Sequence, residues 1–96
     1  MGKHDELRNE IDQIDRQLVQ LFEKRMKIST EIAEYKLKNN VPVLDAQREK
    51  MVINENISYL NDHTLDIYIS EFSKHIMELS RRRQKECLHT QHTKTC

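Results

Sequence analysis

The chain holds one glycine and one proline in 96 residues. With so few helix breakers, and with few β-branched alternations, the sequence argues for an all-α fold. No apolar run approaches the roughly eighteen residues that a bilayer span requires, so no membrane segment is expected. The N-terminal stretch MGKHDEL lacks the apolar core of a signal peptide, which makes the cytoplasm the expected location. Neither sign of charge dominates: Lys plus Arg number 16 and Asp plus Glu number 16, so no global field draws nucleic acid. Any anion binding is therefore local.

Cysteine is scarce as well. Cys87 and Cys96 both fall near the end of a polar tail, which argues against a disulfide framework. The spacing Cys87, His89, His92, Cys96 matches no standard zinc finger and has no surrounding core, so the simpler reading is a solvated tail, with no metal or other cofactor. No histidine falls near Ser29 or Ser80 in the helical pattern, and neither cysteine joins the core. Nothing pairs a nucleophile with a base, and covalent catalysis has no support.

What is present is a balance of 36% hydrophobic and 33% charged residues, that of one small water-soluble helical domain. The domain is expected over residues 1–86, followed by a polar tail at 87–96 expected to be disordered. Leu7, Ile11, Ile14, Leu18, Leu21, Ile28, Ile32 and Tyr35 recur at alternating steps of four and three, the seam of a long helix from Asp5 to about Lys38. Such a helix is roughly 50 Å long. A compact domain of this size has a radius of gyration of only about 12 to 13 Å, so the seam overshoots its own globule and a second copy is the economical cover. Asn39, Asn40 and Pro42 predict the exit of this helix. Asp45 predicts the N-cap of a second, running to about Leu60. A third, capped by Asp62 or Thr64, turns Leu65, Ile69, Phe72, Ile76 and Leu79 inward and reaches about Glu86.

Arg25 occupies a seam position, where burial is predicted, and Lys36 follows eleven residues later, about 20° round the helix. Two cations thus share one face. Asp45, Arg48 and Glu49 sit at the mouth of the second helix, while Ser80 and Gln84 share a face of the third. Arg8 lies seventeen residues before Arg25, about 25 Å along the axis and about 100° round it, too far to join the same small ligand from one straight helix. Taken singly these residues have plainer readings: a snorkelling Arg25, a capping Asp45, a solvated Arg8 and a polar Ser80 and Gln84. Together they suggest a polar pocket inside a helical core, suited to a small dicarboxylate.

The segments LRNEIDQIDRQLVQLFEKR, EIAEYK and VPVLDAQRE resemble the all-helical class of chorismate mutase over roughly residues 5–86. The resemblance implies a long, a short and a medium helix per chain in an intertwined homodimer with two active sites. The implied reaction is the Claisen rearrangement of chorismate to prephenate, on the route to phenylalanine and tyrosine. It further implies that Arg8 of the partner subunit and Arg25 bind carboxylates, and that Lys36 contacts a carboxylate and the ether oxygen. Arg48 would line the pocket, Glu49 accept the substrate hydroxyl, Asp45 hold that end of the substrate, Ser80 contact substrate and Gln84 donate to the ether oxygen. Some relatives carry a glutamate at the Gln84 position and need it protonated. Arg81 departs from the pattern, standing where the family commonly has an apolar wall residue, with Met77 one turn earlier. Two alternatives stand beside this reading: an isochorismate pyruvate-lyase of the same fold, and a non-catalytic helical dimerisation module. The second would leave three converging cations without matching acids.

Overall fold

A computed structural model describes residues 2–42 and 44–89. The order is α1 (Lys3–Lys38), α2 (Ala46–Ser58), a single 3-10 turn (His63–Leu65) and α3 (Asp66–His89), with no strand among the described residues. Among those residues no helix is long and apolar enough to cross a membrane.

Each helix end has a local cause. After α1, Asn40 enters the left-handed region at φ 56°. Val41 N–H then donates back to the Lys36 carbonyl at 2.8 Å and Asn40 N–H to that of Leu37, the pairing of a Schellman cap. Pro42 follows and bars continuation. This abrupt stop leaves Lys36 in the last turn of α1, where the helix dipole favours a cation. Asp45, in extended geometry, accepts the Arg48 N–H at 2.9 Å and opens α2. Asp62 accepts both the amide and the hydroxyl of Thr64. Those two donors hold its carboxyl below the ordinary carboxylate value.

α3 packs against both α1 and α2. The buried residues at these crossings are small or flexible: Thr30 and Ala33 on α1, Ser73, Met77, Ser80 and Cys87 on α3. Ala33 is 1% exposed and Ser73 is 2% exposed, because short side chains let the backbones approach closely. Asn56 of α2 donates to Ser73 Oγ at 2.9 Å, so the buried hydroxyl is satisfied.

Three expectations are corrected here. The face of α3 turned to its neighbours is Ser73, Met77, Ser80, Gln84 and Cys87, at steps of four and three, rather than the apolar stripe. Leu65 and Phe72 are exposed; Ile69, Ile76 and Leu79 are half-buried. Arg25, expected to be buried on the seam, is exposed in the single chain, because it lines an open cleft rather than a packed crossing. The rest of the seam is exposed as well, as expected of a surface that its own chain does not cover. Finally, α3 runs past residue 86 to His89, and Cys87 is not a tail residue: it is 4% exposed and disulfide-bonded. The rest of the candidate zinc spacing, at His92 and Cys96, lies outside the described residues. No group of metal-ligating side chains occurs among the described ones.

The molecule is elongated, 55 × 30 × 14 Å with a radius of gyration of 16.8 Å. The excess over a compact domain comes from the N-terminal half of α1, which carries Leu7, Ile11, Ile14, Leu18 and Leu21 exposed. Because the cap of α1 depends on a left-handed residue, Asn40→Gly is predicted to raise the melting temperature. Asn40→Val is predicted to lower stability by about 1–2 kcal/mol in chemical denaturation.

Candidate active site

Between α1, the start of α2 and the second half of α3 lies a cleft of about 300 Å³. Its walls include Arg25, Ser29 and Lys36 of α1, Arg48 and Glu49 of α2 with the capping Asp45, and Ser80, Arg81 and Gln84 of α3. Ile28, Ile32, Val52 and Met77 supply the apolar part of the lining. Seven of the eight residues singled out from sequence therefore face one cavity. Arg8 does not; it stands exposed near the start of α1, on the arm that projects beyond the core.

Register explains the convergence. On α1, positions 25, 29, 32 and 36 follow steps of four, three and four, so Arg25, Ser29, Ile32 and Lys36 form one longitudinal row. On α3 the steps are three, one and three, so Met77–Arg81 and Ser80–Gln84 form two neighbouring i, i+4 rows of one broad face. The short α1–α2 connection brings Asp45 and the first turn of α2 against the end of that row.

Hydrogen bonds fix several of the polar groups. Arg25 Nη1 donates to Ser80 Oγ at 3.0 Å, and Ser80 in turn donates to the Ile76 carbonyl at 3.0 Å. The Ser80 hydroxyl thus serves as acceptor and donor at once. Gln84 Nε2 donates to the Ser29 carbonyl at 2.8 Å and to Ser29 Oγ at 3.0 Å, tying α3 to α1. Arg81 Nη1 donates to Glu49 Oε2, an ion pair that joins α3 to α2. No buried side-chain polar atom among the described residues lacks a partner.

Sequence reasoning names Ser29 only as a hydroxyl without a base and misses its pairing with Gln84. The signal was available, since Ser29 lies one turn after Arg25 in the row that leads to Lys36, but a lone serine on a helix has no chemical distinctiveness. The cavity carries four cationic side chains, Arg25, Lys36, Arg48 and Arg81, against the carboxylates of Asp45 and Glu49. One Asp45 oxygen is already taken as the α2 cap. A formal excess of two positive charges in a partly enclosed cleft favours a doubly anionic small molecule.

The fold and cleft together define an all-helical domain built around an anion-sized cationic pocket. The family model for chorismate mutase type II matches residues 7–85, and the chain belongs to that family. It is 39% identical over 82 residues to the bifunctional chorismate mutase/prephenate dehydratase of Buchnera aphidicola subsp. Schizaphis graminum (strain Sg), covering 84% of this chain and 21% of that protein. To the chorismate mutase of Methanocaldococcus jannaschii it is 30% identical over 61 residues, 64% of this chain and 62% of that one. The bifunctional chorismate mutase/prephenate dehydratase of Aquifex aeolicus (strain VF5) is 41% identical over 56 residues, 58% of this chain and 15% of that protein. The chain spans about a fifth of the length of the bifunctional Buchnera relatives it matches. No solved structure gives a significant match.

Asp45 has a structural duty that is separable from any contact with a ligand. Asp45→Ala is predicted to cost about 1 kcal/mol in urea denaturation, whereas Asp45→Asn, which keeps a capping oxygen, costs only a few tenths.

Proposed function

We propose that this chain catalyses the Claisen rearrangement of chorismate to prephenate, an isomerase step in phenylalanine and tyrosine biosynthesis. The observation that carries the reading is the convergence of Arg25, Lys36, Asp45, Arg48, Glu49, Ser80 and Gln84 on one cleft. Membership of the chorismate mutase type II family supports it.

The chemistry suits the residues. A pericyclic rearrangement transfers no proton to the protein and needs no nucleophile. It needs a flexible dianion held with its two reacting carbons face to face, which is a positioning effect. Arg25 grips a carboxylate, Arg48 lines the pocket, Lys36 bridges a carboxylate and the ether oxygen, and Glu49 accepts the ring hydroxyl, with Asp45 and Ser80 supporting either end. As the C–O bond breaks ahead of C–C formation, negative charge grows on the ether oxygen, and Lys36 and Gln84 are the donors aimed there. The Gln84 amide has two protons, so one can turn to the ether oxygen while the other stays on the Ser29 carbonyl.

The working unit we propose is an intertwined homodimer. The exposed seam of α1 and the open groove lined by Leu18, Leu21, Phe22, Phe72, Ile76 and Leu79 are apolar surfaces of the kind a second copy covers. In that arrangement Arg8 of the partner subunit reaches the cleft and adds a further carboxylate ligand. We place the enzyme in the cytoplasm, acting without metal or other cofactor.

The test is an assay of the purified chain that follows chorismate and, separately, isochorismate. Prephenate is the expected product of the first. Pyruvate and salicylate from isochorismate, with little prephenate, would make the chain a lyase instead, and no turnover of either would leave a dimerisation module. Lys36→Ala is predicted to lower kcat by about 100-fold or more, the scale of losing one oxyanion donor. Since an amide donates at any ordinary pH, the wild-type rate should hold steady on the acid side of neutrality. Gln84→Glu should be active only where that carboxyl is protonated, giving a kcat that falls as pH rises.

A further inference from the structure

Arg81 is the one cation of the cleft that the family pattern does not supply, and the geometry gives it a specific partner. Glu49 sits on α2 among four cationic side chains. The one it pairs with is Arg81, on the opposite wall formed by α3. The contact engages Oε2, and Glu49 lines the cavity. The pair is partly solvated, Arg81 at 37% and Glu49 at 28% side-chain exposure, so its contribution to folding is small. Its consequence is position: a single charge-assisted contact anchors one oxygen of Glu49 on the α3 side and limits where the carboxylate can point.

We propose that Arg81 is a positioning residue that sets substrate specificity by aiming Glu49 at the ring hydroxyl of the substrate. The inference rests on the reading of the cleft as a chorismate site. With an apolar residue at this place, Glu49 is free to swing toward the other cations of its own helix mouth, and the hydroxyl loses a fixed acceptor. With Arg81, the cleft distinguishes a dicarboxylate that carries the hydroxyl at this point from one that does not.

The experiment measures kcat and KM of the full chain with chorismate and with its counterpart lacking the ring hydroxyl, for wild type, Arg81→Leu, Arg81→Lys, Glu49→Gln and the Arg81→Leu/Glu49→Gln double variant. Arg81→Leu is expected to raise KM for chorismate about 10-fold with a smaller change in kcat, the scale of one charge-assisted hydrogen bond. KM for the deoxy counterpart should stay within about twofold, since it has no hydroxyl to misplace. Arg81→Lys should recover most of the loss. Glu49→Gln should share the selectivity, and the double variant should lose no more than the worse single one, the sign of two residues acting as a unit. Equal losses on both substrates, or no loss on either, would overturn the assignment. Wild-type turnover separates this from the larger claim: if wild type converts neither substrate, the chorismate reading fails and takes the Arg81 assignment with it.

Discussion

The site depends on one close contact, the approach of α3 to α1 at Ser80. A small side chain there, 6% exposed, lets the two helices near each other. The same hydroxyl accepts from the Arg25 guanidinium, so packing and charge placement are settled by a single residue. One turn on, Gln84 ties to both the carbonyl and the hydroxyl of Ser29. With these contacts in place, the row Arg25, Ser29, Ile32, Lys36 faces the α3 surface that carries Met77, Ser80, Arg81 and Gln84, and the cleft between them is a consequence of register. α2 then closes one side, held by the Asn56–Ser73 hydrogen bond and by the pair between Glu49 and Arg81.

Two features that look like defects of the single chain have a common origin. Four cations share a cleft with only two carboxylates, and an arm of α1 exposes a continuous apolar seam. The first leaves a formal positive excess in the cleft lining and the second an uncovered apolar surface. In the proposed assembly a doubly anionic substrate offsets the first and a second copy covers the second, with Arg8 linking the two because it rides on the projecting arm. The proposed reaction asks little reactive chemistry of the cleft: a bound dianion would rearrange within itself once folded, with the protein supplying shape and fixed charge.

Much of this was legible from sequence. The helix ends were, since Asn40, Pro42, Asp45 and Asp62 act through local backbone bonds that need no tertiary context. So was the cleft lining on α1 and α2, since spacing along a helix fixes its faces. The inner face of α3 was not. Periodicity points to its apolar stripe, yet close packing selected Ser73, Met77 and Ser80 and left Phe72, Ile76 and Leu79 to border an open groove. Arg25 was misplaced by the same logic: a seam position predicts burial, yet this one borders an open cleft and stays exposed while its guanidinium reaches Ser80. Cys87, assigned to a solvated tail from its polar neighbours, is instead a buried helical residue, because burial at one position of a helix is set by what crosses it. Ser29 was overlooked because its role exists only in relation to Gln84, fifty-five positions away.

The claim that binds fold to function is that each active site draws on two copies of the chain. Arg8→Ala and Lys36→Ala homodimers should each be nearly inactive. Unfolding and refolding an equal mixture forms hybrid dimers in which one site combines an intact Lys36 with an intact Arg8 of the partner subunit. Chorismate-to-prephenate activity should then return to about a quarter of the wild-type rate, since half the dimers are hybrids and each has one of its two sites restored. A mixture no more active than its two components would contradict the account.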